Sequence, residues 1–153
     1  MKRQKLLSVA AIALLVAVTS CKKDKDSNNS QLSATIGGAA FNPSLVVAST
    51  EPGYIDVYGA QAKSGDSAFL DISIPDTAHV NEPITFDAWD LEYYNSKQTY
   101  DYRSWMYGGG GTLTLSTYDK TNKKIAGKFS AVIYKSYSDS IVITNGQFNT
   151  TYQ

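Results

Sequence analysis

An all-β domain, an antiparallel β-sandwich or partly open barrel of about eight strands behind an N-terminal signal peptide, is the architecture this sequence predicts. Three observations predict it. From residue 31 onward apolar residues recur with a period of two, the repeat of a half-buried strand. Gly, Pro, Asn and Asp punctuate these runs at short intervals, as hairpin connections require. No long segment repeats, which removes solenoids and propellers. The chain divides into a leader at 1–20, a polar segment at 21–30 and one domain at 31–153.

The leader comes first. Residues 2–5 (Lys-Arg-Gln-Lys) are basic, and residues 6–18 form an uncharged, largely apolar run that ends at Thr19-Ser20-Cys21. That run is shorter than the roughly 20 residues that a bilayer core demands, so it reads as a secretory signal. Val18-Thr19-Ser20-Cys21 resembles the lipobox of bacterial lipoproteins, an aliphatic residue and two small ones before an obligatory cysteine. The resemblance implies a diacylglycerol on the Cys21 thiol, cleavage before it, and a further fatty acyl chain such as palmitate on the new amine. Two or three acyl chains hold a protein stably at a membrane, where one holds it marginally. The expected location is the cell envelope, lipid-anchored to the outer membrane. Residues 22–30 carry no apolar side chain, so they read as a flexible tether. Their charges also resemble the export signals that carry Bacteroidota lipoproteins to the cell surface.

The strands follow in order. Residues 33–36 begin an alternation, Gly37-Gly38 offers a two-residue hairpin turn, and residues 39–41 lead away. Residues 45–48 are a short apolar run closed by Glu51-Pro52-Gly53. Within 54–60, Ile55, Val57 and Gly59 share one face, while Tyr54, Asp56 and Tyr58 take the other. Within 68–74, Ala68, Leu70, Ile72 and Ile74 alternate with Phe69, Asp71 and Ser73, until Pro75 ends the run. Residues 87–96 are the one stretch compatible with a short helical turn. Residues 112–116 alternate threonine with Leu113 and Leu115; 119–123 form a polar hairpin loop. The return over 125–134 puts Ile125, Phe129, Ala131 and Ile133 on one face. Residues 137–140 turn into 141–144. Phe148 lies on the parity opposite to Ile141 and Ile143, which places a bulge at Asn145-Gly146.

The run Gly-Thr-Leu-Thr-Leu-Ser-Thr-Tyr-Asp-Lys-Thr-Asn-Lys-Lys-Ile-Ala-Gly-Lys-Phe-Ser at 111–130, with Ile-Val-Ile-Thr-Asn-Gly-Gln-Phe-Asn at 141–149, resembles a family of small Bacteroidota lipoproteins. The similarity extends through Ala-Thr-Ile-Gly-Gly-Ala-Ala-Phe at 34–41. Ala131 departs from it, since an aromatic residue is commoner there. The resemblance implies a β-domain on a lipid tether and carries no activity or catalytic residues.

Charge and residue counts exclude several functions. Without the leader's Lys2, Arg3 and Lys5, eleven basic residues face fourteen acidic ones, a net of −3. Beyond Asp26 the net is −4, which lacks the basic footprint of a nucleic-acid binder. Cys21 is the single cysteine and His79 the single histidine. Cys/His zinc sites, Cys-His dyads and disulfide chemistry are therefore excluded from the domain, and a Ser-His-Asp triad would have to use His79. No cofactor or metal is expected. His79, between Pro75 and Pro83, reads as a surface residue. Gly108, Gly109, Gly110 and Gly111 precede a strand and lack Gly-Lys-Ser/Thr, so they form a connection, not a phosphate loop.

The candidate ligand-binding residues are aromatic. Trp89, Tyr93, Tyr94, Tyr100, Tyr102, Trp105 and Tyr107 crowd one segment. Rings on a loop stack on sugars or peptides, which suggests a glycan or protein partner for a non-enzymatic binding module; alternatively they plug an edge of the sheet with their polar tips wet. Asp87, Asp90, Glu92 and Asp101 in the same stretch offer hydrogen bonds, with Arg103. As a carboxylate pair they would instead suit a small hydrolase or an accessory of glycan processing, or as oxygen ligands a Ca²⁺ ion, though without EF-hand spacing.

Overall fold

The computed structural model describes residues 30–63, 66–86, 90–97, 102–103 and 106–153, with the side chains of Lys63, Tyr102 and Met106 left out. Eleven strands run through them: β1 (Gln31–Ile36), β2 (Ala39–Phe41), β3 (Leu45–Glu51), β4 (Tyr54–Lys63), β5 (Asp66–Pro75), β6 (Pro83–Phe86), β7 (Leu91–Asn95), β8 (Tyr102–Arg103), β9 (Gly110–Asp119), β10 (Lys124–Ser136) and β11 (Asp139–Thr151). The expected eight become eleven because β6, β7 and β8 are too short for periodicity to reveal. The helical turn expected within 87–96 is also replaced: Leu91–Asn95 is strand β7, paired residue for residue with β5. Leu91 and Tyr93 face inward on that strand, and the edge of β5 supplies its backbone partners.

All pairings between strands are antiparallel, and they build two sheets. Sheet I has the order β6-β9-β10-β11-β1-β2; sheet II has the order β3-β4-β5-β7-β8. They join where Arg103 of β8 pairs with Tyr134, near the end of the long strand β10. On the opposite side the C-terminal residue straps them together: the Gln153 N–H donates to Ala48 O and the Thr50 N–H to Gln153 O, at 3.3 and 3.2 Å. Strands β2 and β6 remain edges, so the result is a sandwich, not a closed barrel.

The expected faces hold. Ile55, Val57, Leu70, Ile72 and Ile74 of sheet II meet Leu113, Leu115, Ile125, Ile133 and Ile143 of sheet I, all fully buried. Each contributes about 1.5–3 kcal/mol of transfer free energy. Sheet-to-sheet contact is close enough that Gly59 has no room for a side chain: a Cβ there would collide with Leu32 Cδ2 and lie 2.9 Å from Pro43 Cγ. Gly111 faces Ala131 across β9 and β10, where a Cβ would lie 2.7 Å from the alanine's own. That crowding accounts for a glycine at 111.

The turns match their residues. Gly37 and Gly38 have φ of +57° and +81°, as a tight hairpin between β1 and β2 requires. The predicted bulge is present: Phe129 pairs with Gly146 but Ala131 with Ile143, so β11 carries one residue more than β10. Asn145 absorbs it with φ of +53°, and the inward parity passes from Ile143 to Gly146 and Phe148.

Strand directions give the sandwich two distinct ends. Ser30, Gly53, Asp76, Lys123 and Gln153 lie at one end, linked through Asp76 N–H to Gly53 O and Tyr152 N–H to Lys123 O. Tyr137-Ser138 turns at the other, about 40 Å away along the thirteen residues of β10, and the Gly37-Gly38 turn lies between the two ends beside Val142.

Candidate functional site

The aromatic segment does not form one surface. Adjacent strand residues point to opposite faces, and that separates Tyr93 from Tyr94. Tyr93 lies in the core, its ring edge-on to Phe41 at 6.2 Å, and so is withdrawn from any recognition surface. Tyr94 stands on the outer face of sheet II and stacks on Phe69 at 4.9 Å; Phe69 in turn lies 5.5 Å from Tyr58. In this cross-strand ladder the Phe69 ring is flanked on both sides. Tyr107 sits at the far end with φ of +51°, its ring 4.1 Å from that of exposed Tyr137. Trp89, Tyr100 and Trp105 lie outside the described residues, as do Asp87 and Asp101, and of Tyr102 only the backbone is described.

The described carboxylates near the ladder are engaged or buried. Glu92 pairs with Arg103 at 3.2 Å, and Asp90 is buried at the start of β7, its carbonyl accepting the Ser73 N–H. The neighbours Tyr58, Asp71, Glu92 and Arg103 form one row across β4, β5, β7 and β8. Asp71 lies on the parity of β5 opposite to buried Leu70 and Ile72. Its Oδ1 is buried without a hydrogen-bond partner, while Asp56 beside it accepts from Ser73 Oγ at 2.6 Å. Burial, and then repulsion from Asp56, push the Asp71 carboxyl up to about 6, against the opposing pull of the Ile72 N–H. Among the described residues no three His, Cys, Asp or Glu side chains converge as a metal site. His79 is exposed, beside Tyr118 and Lys120.

A concave feature near Ser30 lies on sheet I and was not among the sequence-based expectations. A groove of about 660 Å³ crosses the strands from Ser116 and Thr117 on β9, over Lys124, Ala126 and Lys128 on β10 and Gln147 and Asn149 on β11, to Gln31 and Ser33 on β1 and Asn42 beyond β2. The register explains the assembly. Gln31, Asn149, Ala126 and Thr117 align in one row; Ser33, Gln147, Lys128 and Thr114 align in the next. Each strand thus sends alternate polar residues to one face while Leu32, Gly127 and Phe148 form the underlying layer.

No protein-family model, curated protein or solved structure matches this chain.

The groove therefore has to be read from its own chemistry. Small Ala126 leaves a depression between the two lysines. Gln147 Nε2 donates to Ser33 Oγ at 3.1 Å, and the hydroxyls of Ser30 and Thr150 are 2.8 Å apart, so part of the wall is oriented in advance. Carboxamides and hydroxyls both donate and accept. Neither a carboxylate nor a histidine lines the groove. Such a surface can hold and orient a polar molecule. The signal in the sequence was the polar parity Lys-x-Ala-x-Lys on β10 facing Gln-x-Asn on β11, legible only once their pairing is known.

Proposed function

We propose that this chain is an outer-membrane lipoprotein of the cell envelope whose β-domain binds a polar ligand without catalysing its conversion. The groove on sheet I carries the reading: it is preorganised, lined by hydrogen-bonding groups and open to solvent. Its place in the chain supports the membrane context. Ser30 is at its margin, nine positions after Cys21, so at most ~30 Å of chain separates the groove from the expected acyl group. The leader, the lipobox-like Val18-Thr19-Ser20-Cys21 and the resemblance to Bacteroidota lipoproteins all point to the same address. No helix among the described residues is long and apolar enough to cross a membrane. The rings of Tyr107 and Tyr137, at the end away from Ser30, remain exposed for a protein or glycan contact of their own.

Two measurements test the two halves of this reading. Cys21→Ser is expected to abolish labelling with a fatty-acid probe and to leave unprocessed precursor; normal labelling and maturation would remove the lipoprotein assignment. For binding, the full-length chain in neutral detergent is applied to an array of glycans and peptides, beside Ala126→Trp, which fills the depression between the lysines. Signals that Ala126→Trp eliminates are expected. An array without signal, or one indifferent to the substitution, refutes the groove as a binding site.

A further inference from the structure

We infer that the ligand of this groove is an acidic oligosaccharide laid across the strands, an inference that rests on the binding role proposed above. Length is the first argument. The groove spans β9, β10, β11 and β1 and reaches Asn42, and four inter-strand spacings amount to about 19 Å. That is a trough for an extended chain of sugars, too long for one monosaccharide or a lone phosphate.

Hydrogen bonding is the second argument. A polyol presents hydroxyls that both donate and accept along its whole length. The side chains of Gln31, Asn42, Gln147 and Asn149 do the same, distributed along the trough instead of converging on one point. A convergent cradle would have suited a compact anion. This lining suits a repeating chain.

Charge is the third. Lys124 and Lys128 are the only charged residues in the lining, although the chain beyond Asp26 is net acidic. They share one face of β10, about 13 Å apart along the strand, on either side of the Ala126 depression. Lys124 also feels Asp119 at the adjoining loop, whereas Lys128 has no acidic partner among the described residues. Two cations without an intervening acid favour a sugar chain that carries carboxylate groups, and they disfavour a basic peptide.

The test uses the full-length chain in neutral detergent and isothermal titration with three probes: tetragalacturonate, maltotetraose and a short-chain phosphatidylglycerol. Tetragalacturonate is expected to bind, with affinity falling about tenfold in Lys124→Gln/Lys128→Gln, falling with added salt, and vanishing in Ala126→Trp. Maltotetraose is expected to bind at least about tenfold more weakly than the acidic sugar. Equal or tighter binding of maltotetraose, lost in Ala126→Trp, would overturn the acidic specificity while the binding role stands. Binding of phosphatidylglycerol in preference to tetragalacturonate would assign the lysines to lipid headgroups and overturn the inference. Failure of all three probes to bind overturns it as well, and the array then decides separately whether the groove binds anything else. Circular dichroism of both variants confirms that lost binding is not lost folding.

Discussion

Asp71 stands where the fold and solvation are at odds. A carboxylate on a strand normally keeps its water, but Tyr58, Phe69 and Glu92 surround this one, and its Oδ1 has no donor. The folded group therefore holds its proton to about 6, against 3.8 in the unfolded chain. The native state binds more protons than the unfolded state between those values, so stability falls as pH rises through that window and stays reduced above it. Removing the charge should help at neutral pH: Asp71→Asn is expected to raise unfolding stability by about 1–2 kcal/mol at pH 7.5, a figure already reduced for the group's partial exposure. Denaturant titrations at pH 7.5 and at a pH below 4 check this, since the gain should vanish in acid. An equal gain at both pH values would mean that the effect is not ionisation. Asp119 behaves in the opposite way. The Asn122 side chain and backbone amides donate to it and hold its carboxyl below the ordinary value, which suits a hairpin loop at the surface.

Among the elements, β11 carries the most consequence per residue. Its one-residue bulge lets Ile143 pack on one side of the break and Phe148, Thr150 and Tyr152 on the other. Deleting Asn145 would remove the extra residue and restore a regular strand in which Ile143, Gly146, Phe148 and Thr150 alternate on the inward face. The deletion variant is expected to keep a cooperative thermal transition, and Asn145→Gly, compatible with φ of +53°, should stay within about 1 kcal/mol of the parent. Loss of the cooperative melt in the deletion variant would contradict the assigned register. The bulge was legible in the sequence because the hydrophobic parity changes visibly there. Strand β7 was not. Five residues with two tyrosines side by side have no informative period, and only the waiting edge of β5 selects the extended state over a helical turn.

At the scale of the molecule, the two sheets meet through narrow connections. One is the pair Arg103–Tyr134; the other is the strap by Gln153 with the buried ring of Tyr152 just before it. Ending the chain at Thr151 removes both the strap and that ring, and should cost about 3–5 kcal/mol, as loss of a buried aromatic does. A melting temperature unchanged by the truncation would show that the strap is dispensable. Lipid attachment is expected at the end of the sandwich that bears the strap, where Ser30 hydrogen-bonds Thr150. The groove then lies on the membrane-proximal half, and the Tyr107–Tyr137 pair points away from the bilayer.

By itself the sequence determined the things that depend on neighbours along the chain. These are the all-β class, the faces of the long strands, the hairpin turns, the bulge, and the counts of cysteine and histidine that remove whole chemistries. It also carried the expectation of a lipid on Cys21. What only the tertiary structure decided depends on neighbours across strands. Pairing withdrew Tyr93 into the core, set Tyr94 into a ladder with residues of β4 and β5, left Asp71 Oδ1 without a donor, and gathered Gln31, Lys128, Gln147 and Asn149 into one groove from three strands. A period of two says which residues share a face within a strand. It says nothing about which strands lie side by side, and a site built across strands exists only after that choice has been made.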